Sequence, residues 1–433
     1  MGFLEIALLI ASFFILLAIG VPIAWALGVA SLLTLLVSMD SITAMTTLGQ
    51  QFLTSLESFT LLAIPFFILA GQIMNQGGIA NRLINFAKNI VGSLPGGLAQ
   101  INIVAAMLFG AIAGSSVAAA SAIGSILGPK MVKEGYSKEF GASINITSAS
   151  MGLVIPPSNV IIVYSLASGG ASIGALFLAG YIPGILTGLA LMAFAIFWSI
   201  RKKYPVGERT SLVALVRSFG NAFPSLLLLV IVIGGIVIGI FTATEAAAIA
   251  VAYTLILAFI YKEISFTNLP AILLSAVKTT SIVMLLIAAS ISMSWVMSYG
   301  EIPHTVSEFI LGLSDNKIVL LLMINLILLV VGMFMDMTPA VLIFTPIFLP
   351  VAVELGINPI HFGIIMVMNL CIGICSPPVG TLLFVGISIA NTTIEKMIKP
   401  LLPIFLVMIV ILLLVTFWPD LSLWLPRYFE LIR

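Results

Sequence analysis

The chain has 433 residues, of which 61% are apolar and 8% charged, with a formal net charge of +1. Soluble domains carry about 25% charged residues, so this chain cannot clothe a water-facing surface, and its charge gives nucleic acid nothing to hold. Two histidines are too few and too far apart for a metal motif, and no Walker A sequence is present to hydrolyse ATP.

Apolar stretches recur along the whole length: Leu61–Met74, Ile173–Ile200, Phe223–Phe241, Ile318–Phe334 and Leu401–Phe417. Their lengths approach or exceed the roughly 20 residues that cross a hydrocarbon core. Barrel strands would alternate in polarity, and these runs do not, so they read as membrane helices. Phe3–Ile19 lacks a basic flank and reads as mature protein rather than a signal peptide. Gly20-Val21-Pro22 interrupts Phe3–Ser38, which is expected to be one long bent helix. Gly77-Gly78 and Gly96-Gly97 read as turns.

Two later segments are copies of one unit. Gly152-Leu-Val-Ile-Pro156-Pro157-Ser158 matches Gly373-Ile-Cys-Ser-Pro377-Pro378-Val379, and the same spacing pairs Pro129 with Pro350, Gly135 with Gly356 and Ser115 with Asp336. In each copy two short apolar arms flank a polar cluster, Gly114-Ser115-Ser116 or Asp336-Met337-Thr338, which describes a re-entrant hairpin. Each hairpin is followed by a run broken in the middle by Pro-Pro, which excludes regular helix. The expected layout is scaffold helices over 1–97 and a first unit over 98–200, with its hairpin at 98–130 and broken helix at 139–168. A basic loop and connecting scaffold helices follow over 201–316. The second unit and a C-terminal helix occupy 317–433, with the hairpin at 317–350 and the broken helix at 360–392.

The basic flank changes ends between the copies. Lys130, Lys133 and Lys138 lie between hairpin and broken helix in the first. In the second that position holds only Glu354, and Lys396 and Lys399 follow the break. Positive loops mark the cytoplasmic side, so the copies are inverted. Arg82, Lys88, Arg201-Lys202-Lys203, Arg209, Arg217 and Lys262 fall on the same inner side, while Glu301, Glu308 and Asp315 precede the outer hairpin. The fold class is therefore an all-α integral membrane protein with an inverted repeat, two re-entrant hairpins and two interrupted helices. Paired breaks in corresponding halves point to a transporter's binding site.

Helix ends at the midplane offer carbonyl and hydroxyl oxygens to a small cation and positive dipole ends to a carboxylate. One cation site would use Ser115, Ser116, Gly152, Ile155, Pro156 and Asn159. The other would use Asp336, Thr338, Gly373, Ser376 and Pro378. A solute between them would meet Ser116, Ser158, Asn159, Thr338 and Thr381. Asp336, ionisable inside the membrane, is the strongest single candidate. Glu245 either caps its helix or serves transport, and Lys278 is expected to snorkel. Cys371 and Cys375 share a helix face as small buried hydrophobes. Trp418, Trp424 and Tyr428 suit an interfacial belt.

Leu62-Ala-Ile-Pro-Phe-Phe-Ile-Leu-Ala-Gly71, Leu94-Pro-Gly-Gly97, Ile112-Ala-Gly-Ser-Ser116, Ile155-Pro-Pro-Ser158, Gly174-Ala-Leu-Phe-Leu-Ala-Gly180, Pro346-Ile-Phe-Leu-Pro350, His361-Phe-Gly363 and Pro377-Pro-Val-Gly380 together carry a resemblance. Over nearly its whole length the chain resembles the large membrane subunit of tripartite ATP-independent periplasmic (TRAP) transporters. The resemblance implies an elevator-type fold in the inner membrane and Na⁺-coupled import of a carboxylate, with Na⁺ as coupling ion and no other cofactor. It also implies a small four-helix membrane subunit and a periplasmic substrate-binding protein as partners. The solute it suggests is sialic acid (N-acetylneuraminate) or a C4-dicarboxylate. The chain departs from the family in two places: Val117-Ala-Ala-Ala120 lacks the acidic residue that often follows the hairpin serines, and Ser376 replaces a Thr. The alternatives are a self-contained Na⁺/carboxylate symporter, a passive channel and an intramembrane protease. A protease would need a second intramembrane aspartate besides Asp336, or a histidine in the membrane core, where neither His304 nor His361 is expected.

Overall fold

A computed structural model describes residues 3–76, 78–207, 211–314 and 316–432; Gly77, Arg209 and Asp315 lie outside them. In chain order the helices are α1 (Phe3–Ala18), α2 (Ile23–Ser38), α3 (Ser41–Ser55), α4 (Ala63–Gln76), α5 (Ile79–Val91), α6 (Gly97–Ala113), α7 (Ser116–Lys133), α8 (Lys138–Met151), α9 (Asn159–Ala167) and α10 (Ile173–Lys202). Then come α11 (Leu212–Val237), α12 (Ala243–Ile260), α13 (Leu269–Tyr299), α14 (Ile302–Leu313), α15 (Lys317–Phe334), α16 (Met337–Glu354), α17 (Pro359–Gly373), α18 (Thr381–Ala390), α19 (Ile394–Phe417) and α20 (Asp420–Tyr428). Among the described residues eight helices are long and apolar enough to cross a membrane. The chain is a multi-pass membrane protein.

The N-terminal expectation is corrected. Residues 3–38 form two helices folded back on each other, not one bent helix. Ser38 Oγ, at the end of α2, donates to Glu5 Oε1 near the start of α1 at 3.0 Å. The sequence at the turn permits the reversal, since Gly20 takes φ +86°, open to glycine, and Pro22 starts α2 with its fixed φ, and packing of α1 on α2 completes it. Each helix has 16 residues, a rise of about 24 Å.

The two units interlock. α6–α7 and α15–α16 are antiparallel helix pairs, and α8/α9 and α17/α18 are helices interrupted at Pro-Pro. The second arm of each hairpin packs on the second half-helix of the other unit, α7 on α18 and α16 on α9. Outer contacts follow the same exchange. Tyr164 of α9 donates its hydroxyl proton to the Pro359 carbonyl at 2.6 Å, and Thr392 after α18 donates to Glu139 of α8 at 3.0 Å. α10 and α19 pack on this core, and α1–α4 and α11–α14 lie beside it.

Charge separates the two ends. Arg82 meets Glu263 at 2.8 Å and also lies over the Tyr261 ring, joining α5 to the end of α12. Lys130 and Lys133 in the last turn of α7 and Lys138 at the start of α8 lie exposed. At the opposite end, Thr244 donates to the Phe59 carbonyl at 3.0 Å, and α14 carries the His304–Glu308 pair. The positive-inside rule assigns the first end to the cytoplasm.

His361, expected outside the membrane core, is the third residue of α17 and lies buried within the protein, 1% exposed. Its Nε2 donates to the Thr416 carbonyl at 3.3 Å, which leaves Nδ1 to accept from Ser422 Oγ at 2.6 Å. A buried imidazole must find such partners, and here it ties α20 and the end of α19 to α17.

Glu245 closes a capping box with Thr242 at the start of α12, the capping alternative. Both cysteines are buried, and Lys278 is exposed, as are Trp418, Trp424 and Tyr428.

Candidate functional site

Each hairpin turns at a capped helix N-terminus. In the first, Gly114 ends α6 with φ +61°, and Ser115 caps α7 by accepting from the Ala118 amide at 3.2 Å. In the second, Asp336 caps α16, accepting from the Met337 amide at 2.9 Å. Ser and Asp favour this position because their side chains replace a missing intrahelical acceptor. Both tips aim a positive dipole end into the protein.

The two breaks begin alike. Ahead of Pro156-Pro157 the helix tightens to three-residue hydrogen bonds, Val154 N–H to Met151 O at 3.1 Å and Ile155 N–H to Gly152 O at 3.2 Å. Ahead of Pro377-Pro378 the same bonds recur, Cys375 N–H to Ile372 O at 3.2 Å and Ser376 N–H to Gly373 O at 2.8 Å. Both Pro-Pro bonds are cis. Glycine lets each hairpin press onto its broken helix at this level. A Cβ on Gly152 would lie 3.0 Å from Gly110 Cα, and one on Gly373 would lie 2.5 Å from Gly332 Cα.

A cleft of about 420 Å³ opens where the first hairpin tip faces α4 and α13. Of the residues singled out from sequence, Ser115, Asn159 and Thr338 line it together. Asn159, the first residue of α9, donates from Nδ2 to the Gly114 carbonyl at 3.5 Å and so joins the first break to the first tip. The N-termini of α7, α9 and α16 therefore converge on one cleft.

The other candidates stand around it. Ser116 is buried behind the tip, and Gly152 and Pro156 are buried in the first break, with Ile155 half-buried. Ser158 is 1% exposed, and its Oγ has no hydrogen-bond partner. Around the second break Gly373 and Ser376 are buried, with Ser376 donating to the Ile372 carbonyl at 2.9 Å. Pro378, Thr381 and Asp336 lie at the surface of the chain and do not line the cleft. Ser116, Ser158 and Thr381 thus stand off the cleft wall in this conformation.

Sequence reasoning missed the facing wall. Gln72 and Asn75 of α4, Thr279 of α13 and Ser121 of α7 all line the cleft. Gln72 and Asn75 carried a readable signal, two amides three residues apart and hence on one face of an apolar helix. No charged side chain is among the lining residues. Among the described residues no cluster of three metal-ligating side chains exists.

The family model of the DctM component of the tripartite ATP-independent periplasmic transporters matches residues 10–421. The chain belongs to this family. It is a TRAP large permease, a transporter subunit and not an enzyme. It is 57% identical to the uncharacterised protein YgiK of Salmonella typhimurium, over 98% of each chain. It is 42% identical to the C4-dicarboxylate TRAP large permease DctM of Pseudomonas aeruginosa, over 93% of this chain and 94% of that one. In three dimensions the permease is similar to the YdaH transporter of Alcanivorax borkumensis, with a TM-score of 0.66 over 88% of this chain and 89% of that one. Their sequence identity of 12% makes this a likeness of fold alone.

Proposed function

We propose that this permease imports a small organic acid by Na⁺-coupled symport. A periplasmic binding protein delivers the acid, and a small four-helix membrane subunit completes the permease. The observation that carries this reading is the cleft itself: three helix N-termini meet in it, and none of its lining side chains is charged. Dipole ends favour an anion, each equivalent to roughly half a unit charge. They do not replace the ion pair that a buried carboxylate normally requires, because removing that charge from water costs several kcal/mol when uncompensated. A co-bound cation closes the gap and gives the transporter its coupling.

To such a cation we assign Ser115, Ser116 and Asn159 with the carbonyls of Gly152, Ile155 and Pro156 at the first tip and break, and Asp336, Thr338 and Ser376 with the carbonyls of Gly373 and Pro378 at the second. Hydroxyl, carbonyl and carboxylate oxygens are the hard ligands that a small cation takes. The cleft lies on the seam between the interlocked core and helices α4 and α13. Sliding of the core against those helices, an elevator motion, would carry the cleft from one face of the membrane to the other.

Reconstitution with the small subunit and binding protein tests this. Uptake into proteoliposomes should require an inward Na⁺ gradient and the loaded binding protein. Undiminished uptake without Na⁺ contradicts the coupling, and full uptake by the large subunit alone favours a self-contained symporter.

A further inference from the structure

We propose that a second cavity, at the cytoplasmic end of the core, binds a small neutral molecule that has an apolar body and an N–H or O–H donor. Asn102 and Asn145 carry the site: both are buried, and the carbonyl oxygen of each lacks a partner within the protein.

The cavity has a volume of about 310 Å³ and lies between α6, α7, α8 and α18. No residue lines both it and the cleft at the first tip. Its mouth is at Ser137, which caps α8, and at Lys138, both exposed. Its inner wall holds Asn102 of α6 and Asn145 of α8, 1% and 2% exposed. Asn145 Nδ2 donates to the Ala120 carbonyl at 2.7 Å, which leaves Oδ1 as its free atom. Asn102 Nδ2 meets only Met131 Sδ, at 4.0 Å. Neither Oδ1 accepts a hydrogen bond. Buried acceptors in folded proteins are nearly always paired, so two orphans on one cavity wall point to a donor that enters from outside.

The repeat shows that this space is particular to the first copy. The spacing that pairs Pro129 with Pro350 also pairs Gly124, Gly128 and Gly141 with Thr345, Leu349 and Phe362. It pairs Asn102 and Asn145 with Met323 and Met366. In the second copy Thr345 and Phe362 are fully buried, and Thr345 donates to Met366 Sδ at 3.2 Å. The first copy thus has glycine where the second has bulk, and carboxamides where the second has thioethers.

The walls set the class of ligand. Lys138 is the one charged lining residue, and no carboxylate lines the cavity. A cation would find two neutral oxygens and a positive mouth, and an anion would meet acceptor oxygens at the inner wall. Water alone is a poor filling. The volume holds on the order of ten waters, and two carbonyl oxygens set among Met131, Ala142, Gly386 and Ile389 anchor few of them. A neutral molecule of one or two rings suits both volume and surface, with its body on those residues and its donor on an asparagine oxygen. Small-ligand pockets have this make-up, apolar walls with a few placed polar groups. α7 packs on both α8 and α18, so an occupant braces the first hairpin arm against both broken helices.

Indole is the probe, a two-ring body with one N–H, and 1-methylindole is the same body without the donor. Binding is measured by equilibrium dialysis with the full-length permease in nanodiscs, and empty nanodiscs give the share taken up by lipid. Indole should bind saturably and at least tenfold more tightly than 1-methylindole, because a site built to bond an N–H rejects the analogue that lacks it. Gly128 lies four residues from Gly124 on the same helix face, and a Cβ there meets nothing within 4 Å. Gly128→Leu should therefore fill the cavity as Leu349 does in the second copy, and abolish saturable binding with thermal unfolding unchanged. Asn102→Leu/Asn145→Leu removes both orphaned oxygens and should bring the two probes to about equal affinity. That second variant decides if Gly128→Leu fails to fold, and a preference for indole that survives it contradicts the site. Saturable binding that survives in folded Gly128→Leu, equal affinity of the wild type for both probes, or no saturable binding above empty nanodiscs, which means water only, each overturns the inference.

Discussion

Cys371 Sγ donates to the Ser150 carbonyl at 3.1 Å, and the two residues lie 221 positions apart, the spacing that relates the two copies of the repeat. A contact between equivalent positions places the pseudo-two-fold axis between α8 and α17. The interlocking of the core follows, because each half-helix beyond a break must pack on the opposite unit. The site is buried and tightly filled, which leaves little tolerance for volume. Cys371→Ser should fold with a small loss, and Cys371→Leu should cost about 1–3 kcal/mol by overpacking. Thermal unfolding of both variants in one detergent checks the ranking; equal stabilities contradict it.

The glycine crossings should be as intolerant. A Cβ on Gly373 meets the backbone of Gly332 and one on Gly152 meets the Met107 carbonyl at 2.8 Å, with no flexible side-chain end to yield. Gly373→Ala and Gly152→Ala should each lower stability by about 1–3 kcal/mol and reduce uptake more than surface expression. Gly128 and Gly220 have nothing within 4 Å of such a Cβ, and alanine there is the control that should fold normally.

The two caps separate capping from charge. Ser115→Ala should cost roughly 1 kcal/mol of stability. Asp336→Asn keeps an acceptor for the Met337 amide but removes the charge. It should leave stability near wild type while raising the Na⁺ concentration for half-maximal uptake several-fold. An unchanged Na⁺ dependence in Asp336→Asn would remove Asp336 from the second cation site.

His361 offers a coupled pair. His361→Ala strands the Thr416 carbonyl in a buried place, at a cost of about 1–3 kcal/mol, and leaves Ser422 Oγ only the Pro419 carbonyl at 3.1 Å. His361→Ala and Ser422→Ala should therefore be non-additive in a double-mutant cycle. Additive losses would show that the 2.6 Å contact contributes nothing by itself.

The hairpins and breaks were legible because Pro-Pro, the flanking glycines and the tip polar clusters act locally on the backbone, and the swapped lysines carry orientation. The N-terminal fold-back was not. Gly20-Val21-Pro22 is compatible with a bend or a full reversal, and only packing of α1 on α2 decides between them. The burial of His361 within the protein was not legible for a related reason, since its partners Thr416 and Ser422 lie more than 50 residues away. The cleft shows the same division. Ser115, Asn159 and Thr338 sit at helix ends that sequence marks. Gln72 and Asn75 sit towards the end of α4 and Thr279 within α13, apolar helices whose facing side is set by the tertiary structure.

The central claim is that an uncharged cleft at converging helix N-termini holds an acid only together with Na⁺. Acid affinity of the large permease with its small subunit, measured in nanodiscs across a series of Na⁺ concentrations with choline as replacement, tests it most directly. Affinity should rise steeply with Na⁺ and fall below detection in choline. Affinity independent of Na⁺ would contradict it.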